Sequence, residues 1–283
     1  MAKPSIAIVG AGRLGSALAL SLREAGYLIK EVISLPGKVS KSRAGALARR
    51  VGAEANTIAS AKLSAGVVWF CVPDRELAPC AKMLARAVKW KGKIGLHPSG
   101  ALASSELNAL KVEGAVVASV HPLMTFVTKV RPSLAGVPFA VEGDAAAVRV
   151  ARQLVRGMGG EAFAITKAHK AAYHTWGGFT SPLLVAALAT AEIVATKAGM
   201  SRKLARHRME PIVRQTLANY FQKGPADAFS GPIIRGDAAT VQKHLKVLDR
   251  VPVAKQVYLA LARAAVKNLP ARNKGELSRI LRG

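Results

Sequence analysis

Four short stretches place chemically active residue types at spacings that let them act together. Gly10-Ala11-Gly12-Arg13-Leu14-Gly15 has the form G-x-G-x-x-G. His97-Pro98-Ser99-Gly100 and His121-Pro122-Leu123-Met124-Thr125-Phe126 each bring a histidine to the end of an apolar run. Lys167, His169, Lys170, Tyr173 and His174 cluster further on, and the spacing of four puts Lys170 and His174 on one face of a helix. A histidine moves a proton near neutral pH. A fixed ammonium or imidazole polarises a carbonyl and protonates its oxygen as charge develops there. Ser99 has the hydroxyl to hydrogen-bond a carboxylate or carbonyl. Lys170, His174, His121 and Ser99 are therefore the candidate catalytic residues. A plainer reading stands beside this one: each histidine bonds backbone at a strand end while proline fixes the loop, and the lysine-rich helix is ordinary surface charge.

The glycine motif follows an apolar strand, Ser5–Val9, and opens an amphipathic helix, the context that makes it a dinucleotide-binding turn. Gly10 makes the tight turn, Gly12 lets backbone approach a pyrophosphate, and Gly15 lets helix and strand pack closely. The helix start at Arg13 and Leu14 offers free amides and a positive dipole end to phosphate. The alternative is a tight strand–helix turn with no ligand. About twenty residues beyond such a motif an NAD site carries Asp or Glu on the ribose hydroxyls. Ser34 stands there instead, followed by Lys38, Lys41, Ser42 and Arg43. Hydroxyl and cationic donors suit a 2′-phosphate, so Ser34, Lys41 and Arg43 predict NADP(H). The rival is Glu31 on the ribose with the basic residues solvated. Cys71-Val72-Pro73-Asp74 follows another apolar strand, which puts Val72 and Pro73 beside the middle of the dinucleotide. Asp74 either joins that site or caps the next helix.

These residues need elements to hold them. The first part alternates strands (5–9, 28–34, 66–72, 93–97, 116–120, 137–141, 162–165) with helices (14–25, 44–51, 77–88, 145–157). Such alternation predicts a Rossmann-type, doubly wound parallel sheet. Beyond Thr166 the pattern is helical: 167–177, 182–199, 202–221, 238–248 and 252–269, with a Gly- and Pro-rich break at 224–236 and a basic tail from Pro270 that is expected to fray. The expected organisation is an α/β Rossmann-type NADP-binding domain over 1–165 and an all-α substrate and dimerisation domain over 166–283, with the site in the cleft between them.

Lys plus Arg is 42 and Asp plus Glu is 16, a formal net charge of +26. Such a balance attracts anions. The cations are scattered, without an aromatic-interleaved basic run or a zinc-finger signature, so a basic solvated surface is favoured over a nucleic-acid binder. Two cysteines, Cys71 and Cys80, make neither a disulfide framework nor a metal site, and no metal is expected. The start Met1-Ala2-Lys3-Pro4 runs directly into a strand and reads as a cytoplasmic chain without a signal peptide. Trp176–Thr196 is nearly apolar over bilayer-spanning length, and is read as a core helix with a membrane span as the alternative.

Across nearly its whole length the sequence resembles the two-domain reductases that join an N-terminal Rossmann-like domain to a C-terminal helical domain of unknown function. The matching stretches are Gly10–Gly15, Val72-Pro73-Asp74, His97–Ala101, His121-Pro122-Leu123 with Thr125-Phe126, Lys170 through Tyr173-His174, and Gly231–Asp237 followed by His244-Leu245. More distantly the layout is similar to β-hydroxyacid dehydrogenases and ketopantoate reductases, where a Lys opens the helical domain and an Asn follows one turn later. That similarity implies a catalytic role for Lys170. His174 stands where the Asn is found, and Thr180-Ser181-Pro182 where such relatives often carry another, which leaves the substrate open. His121-Pro122 resembles the His-Pro loop of prephenate dehydrogenases over too few residues to transfer a substrate. The resulting expectation is a homodimeric NADP(H)-dependent oxidoreductase acting on a small carbonyl compound, such as an anionic 2-oxo acid. The alternatives are an imine reductase and a non-catalytic dinucleotide-binding sensor.

Overall fold

The structure, a computed structural model, describes residues 3–127 and 131–282; Met1 and Ala2 of the N-terminal reading lie outside the described residues. The chain divides into two compact units, Met1–Gly178 and Phe179–Gly283.

The first unit runs β1 (Ile6–Val9), α1 (Arg13–Glu24), β2 (Ile29–Ser34), α2 (Lys38–Val51), β3 (Glu54–Thr57), β4 (Val67–Phe70), α3 (Asp74–Ala87), β5 (Ile94–His97), α4 (Asn108–Val112), β6 (Val116–Pro122), β7 (Pro138–Gly143), α5 (Ala145–Gly157) and β8 (Glu161–Ala164), and ends within α6 (Lys170–Thr180). The strands form one eight-stranded sheet in the order β3-β2-β1-β4-β5-β6-β7-β8. Along β1 and β4 every side chain is buried, because both faces of the sheet are covered. Ile6, Ile8 and Trp69 meet α1, α2 and α5 on one face through Leu18, Leu47 and Leu154. Val9, Val68 and Phe70 meet α3 and α4 on the other through Leu77, Leu84 and Leu110.

Every neighbouring pair in this sheet is parallel except β6 and β7, which are antiparallel, with Ser119 opposite Glu142 and His121 opposite Ala140. The expected doubly wound parallel sheet is present, with this one antiparallel pair in it. A parallel pair needs a crossover connection, usually a helix. Among the described residues no helix lies between Pro122 and Pro138. Strand β3 was not expected either. Its Glu-Ala-Asn-Thr sequence lies at the sheet edge and is largely solvated, so it carries no apolar signal. The unit boundary falls inside α6 and not at 165/166, because Lys170 and Tyr173 are buried within the first unit.

The second unit holds α7 (Pro182–Ala195), α8 (Arg202–Ala228, broken at Gly224 with φ of 81°), α9 (Pro232–Arg235), α10 (Ala238–Leu248), α11 (Pro252–Asn268) and α12 (Lys274–Ile280). The tail does not fray. Leu277 and Leu281 are fully buried against Val241, Ala262 and Val266, and Arg263 donates from Nε to the Leu281 carbonyl at 2.6 Å. The basic composition hid two leucines at the i,i+4 spacing of a packed face. The core-helix reading of Trp176–Thr196 is also corrected. Within α7 only Glu192 is buried, paired with Arg206 at 2.6 Å and 2.9 Å, while Leu183 and Val185 are 51% and 65% exposed. Lys167–Ala198 is long and apolar enough to cross a bilayer by length and composition alone. Its α7 part is apolar nearly all round, so no apolar face of α7 selects the interior of this chain.

Candidate active site

The carboxyl ends of β1, β4, β5 and β6 share one edge of the sheet, and the glycine turn, Cys71–Asp74, His97–Gly100 and His121–Phe126 lie at those ends. At the end of β1 the three glycines have different reasons to be glycine. A Cβ at Gly10, whose φ is 98°, would overlap the Cys71 carbonyl oxygen. A Cβ at Gly15 would overlap the Gly10 carbonyl oxygen and sit 2.9 Å from Cys71 Cβ. At Gly12 it would meet nothing within 4 Å. Packing therefore explains Gly10 and Gly15 and leaves Gly12 unexplained unless something approaches from outside. The helix α1 begins at Arg13, and its first α-type bond runs from Ser16 N to Gly12 O at 2.9 Å, so the amides of Arg13 and Leu14 precede the ladder.

At the end of β2, Ser34 is 1% exposed and its hydroxyl has no partner. Glu31 is engaged inside the protein. It is buried and accepts from Asn56 Nδ2 at 2.7 Å, Lys62 N at 3.0 Å and Leu63 N at 2.9 Å, tying down the chain after β3. Helix α2 starts at Lys38, earlier than expected, so Lys41 and Arg43 lie on a helix and not in a loop. Two positions apart on a helix is about 200°, so they point to different sides. Arg43 lines a groove of about 690 Å³ with Gly12, Arg13, Arg50 and Arg131. Lys41 lines a different cavity with Pro36, Gly37 and Thr57. The structure separates two residues that the sequence assigned to one phosphate. Val72 is buried and Pro73 exposed after β4.

A polar cluster gathers where β5, β6 and α6 approach. Asp74 does not cap α3, whose N-cap is Pro73. Its carboxylate accepts the Ser99 hydroxyl at 2.8 Å, and Ser99 Oγ in turn accepts from Leu102 N at 3.0 Å. His97 is fully buried. Its Nδ1 accepts from Ser99 N at 3.2 Å and its Nε2 faces the Ala103 carbonyl at 3.0 Å, so the proton sits on Nε2. Burial first, then the Lys170 charge, pushes His97 down to about 3. The ammonium of Lys170 is 1% exposed and donates to the Ser99 carbonyl at 2.8 Å and to Ser119 Oγ at 2.5 Å. Burial lowers Lys170 to about 8 against the opposing charges of Glu142 and Asp74. Glu142 accepts from Ser104 N and Oγ at 2.6 Å and 2.9 Å.

His121 Nδ1 lies 2.8 Å from the Tyr173 hydroxyl. Burial first, then the Lys170 and His174 charges, pushes His121 down to about 4, and burial pushes Tyr173 up to about 12. His174 is exposed, with its ring 6.3 Å from that of His121. Both imidazoles press on Gly100: a Cβ there would lie 2.8 Å from His121 Nε2 and 2.7 Å from His174 Cδ2.

Ser99, His121, Lys170 and His174 thus come together within the first unit. Lys170 and His174 address the same loop from one helix face, the one at Ser99 and the other at Gly100. Tyr173 and Asp74 were noted in the sequence without a catalytic role, and Ser119 was not noted. For Tyr173 a signal existed, since three residues past Lys170 is the same helix face. Nothing in the spacing announced Ser119, which sits inside β6.

Residues 1–122 match the Rossmann-like domain family, and residues 137–265 match the family described as Domain of unknown function (DUF2520). No curated protein matches its sequence. The chain is similar in fold to a Bacteroides fragilis protein provisionally named an NADP oxidoreductase, at 20% identity over 93% of this chain and 97% of that one, with a TM-score of 0.77. A Thermotoga maritima protein whose name states no function matches at 23% identity over 97% and 99%, TM-score 0.73. An imine reductase from Myxococcus stipitatus, solved with NADP+, matches at 19% identity over 98% and 100%, TM-score 0.66. At these identities the likeness is one of fold.

Proposed function

We propose that the protein is an NADP(H)-dependent oxidoreductase that transfers hydride to or from a small carbonyl compound. The observation that carries this is Gly12, the glycine of the G-x-G-x-x-G turn that no packing contact requires, on the sheet edge that also carries His121 of the His121–Tyr173 pair. The residues present fit the cofactor. The Gly10–Gly15 turn and the Arg13 and Leu14 amides would hold the pyrophosphate. Ser34, with its orphaned buried hydroxyl, would meet the adenosine ribose. Arg43 and Arg13, in one groove beside Gly12, would take the 2′-phosphate. Val72 and Pro73 would flank the middle of the dinucleotide. Bound there, NADPH supplies the hydride.

The chain's own part is orientation and proton chemistry. The loop at Ser99–Gly100 is fixed from three sides, by Lys170 on its carbonyl, Asp74 on its hydroxyl and His97 on its amide. His121, Tyr173 and His174 then form the polar wall at which a carbonyl oxygen gains charge. Reduction of an imine, the activity named for the Myxococcus protein, is the second reading. A protonated imine is a cation and favours a free carboxylate beside it; here Asp74 is engaged by Ser99 and Glu142 by Ser104. The exposed apolar side chains Leu183 and Val185 on α7, with Ile212 and Phe221 on α8, support a homodimer, which light scattering after size exclusion would test. Calorimetric titration with NADPH and NADH tests the cofactor assignment. NADPH binding tighter by tenfold or more is the expected outcome, and equal affinities or no binding would overturn it.

A further inference from the structure

We infer that His121 and Tyr173 form the proton relay of this site: His121 delivers a proton from Nε2 to the substrate oxygen, and the Tyr173 hydroxyl replaces it at Nδ1. This rests on the carbonyl reduction proposed above. The other polar groups of the cluster are engaged. Both nitrogens of His97 bond backbone, at Ser99 N and the Ala103 carbonyl. The Ser99 hydroxyl donates to Asp74 and accepts from Leu102 N. Lys170, 1% exposed, braces the Ser99 carbonyl and Ser119. His121 differs. Its Nδ1 is held by Tyr173, and its Nε2 lies beside Gly100 with no hydrogen bond to another described residue.

The direction of the His121–Tyr173 bond follows from the charges around it. Lys170, His174 and His97 surround His121, and no carboxylate bonds either ring nitrogen. The imidazole is held neutral, down to about 4, and the phenol is held neutral, up to about 12. A neutral imidazole has one donor and one acceptor nitrogen. The phenol is the stronger acid of the two neutral groups, so its O–H donates to Nδ1 and the imidazole proton stays on Nε2. Phe163 and Trp176, with ring centres each 6.0 Å from Tyr173, wall the phenol so that it is 7% exposed.

The step balances. Hydride from bound NADPH forms the new C–H bond while the carbonyl π pair moves to oxygen; the carbonyl is reduced and the nicotinamide oxidised. The oxygen takes the Nε2 proton, and the N–H bond breaks. The Tyr173 proton moves to Nδ1, and the phenolate regains a proton from water. One proton is consumed overall. His121 is thereby the catalytic residue, and Tyr173 acts through it.

The test uses the full chain labelled with 15N-histidine, with NADP+ as the bound probe. Long-range 1H–15N correlation spectra report which nitrogen of each histidine carries the proton, and His121→Gln assigns the His121 signals. The expected result is a neutral His121 protonated on Nε2 from about pH 5 to 9, and a mixture of tautomers in Tyr173→Phe. In NADPH oxidation over 2-oxo acids, aldehydes and ketones, Tyr173→Phe should lower kcat by about 10–100-fold and leave KM within about twofold, with a larger fall for His121→Gln. A His121 protonated on Nδ1, or titrating near its ordinary value, overturns the relay, as does full kcat in Tyr173→Phe. An Nε2-protonated His121 in a protein that reduces no carbonyl compound overturns the reaction and leaves only a hydrogen bond.

Discussion

Valine at Gly12 should abolish NADPH binding and leave the fold in place, whereas alanine at Gly15 should damage the fold itself. Gly12 caps α1 with φ of −72° and ψ of −173°, a conformation open to any residue, and its Cβ position is empty out to 4 Å. Replacement loses a modest capping preference and reduces the freedom of the unfolded chain, two effects of under about 1 kcal/mol each and of opposite sign. Gly15 lies inside α1, where alanine would gain about 1 kcal/mol of helix propensity. Its Cβ, however, overlaps the Gly10 carbonyl oxygen and presses on Cys71 Cβ at 2.9 Å, so helix and strand must separate. Overpacking of this kind costs about 1–3 kcal/mol or more. At about 2–4 °C per kcal/mol for chains of this size, Gly15→Ala should melt several degrees low while Gly12→Val melts within about 3 °C of the parent. Thermal scans and NADPH titrations of both variants separate the two roles. A Gly12→Val protein that binds NADPH normally, or one that melts as low as Gly15→Ala, would refute the assignment of Gly12 to a ligand.

Arg43→Ala should weaken NADPH by about 1–3 kcal/mol, the size of one charge-assisted bond, and leave NADH unchanged, while Lys41→Ala should leave both unchanged because it lines another cavity; titration calorimetry reads each. Leu277→Ala should cost about 2–5 kcal/mol in a denaturant melt, since that side chain is fully buried, and no loss would mean the tail does not dock. His97, pushed down to about 3, is neutral in the folded protein while the unfolded chain takes up a proton below its ordinary 6.5. The stability it confers is therefore present above pH 6.5 and is lost as the pH falls towards 3, on the order of 5 kcal/mol in full. Melting temperature against pH should be flatter between 6.5 and 4 for His97→Gln than for the parent, and parallel curves would contradict it.

What the sequence made legible, and what it did not, follows from the range of the interactions. The β1–turn–α1 unit is local: an apolar strand, glycines at fixed offsets and an amphipathic helix all lie within twenty residues of one another. Helices α5 and α10 were bounded correctly because each has a clear apolar stripe and a sharp start after Asp144 or Asp237. The direction of β7 depends on the connection before it and has no signature in Pro-Phe-Ala-Val-Glu-Gly itself. The exposure of α7 is a property of the unit around it, since an apolar helix reads the same whether covered or bare. In the site, the meeting of His121 with Lys170 and His174 was anticipated from where strands end, and the bonds each of them makes were not. Lys170 was expected to face a substrate, and its ammonium instead braces the carbonyl of Ser99, 71 residues away. The His121–Tyr173 bond spans 52 residues, and no spacing rule reaches that far.

The central claim is that the glycine turn and the His121 cluster serve one hydride transfer. Its most direct test is NADPH consumption, followed by absorbance, across 2-oxo acids, aldehydes, ketones and cyclic imines, with Gly12→Val as the control. Oxidation of NADPH by at least one class of carbonyl compound, faster than with NADH and abolished in Gly12→Val, is the predicted result. Consumption with none of them, or with cyclic imines alone, or with equal rates for the two cofactors, would contradict it.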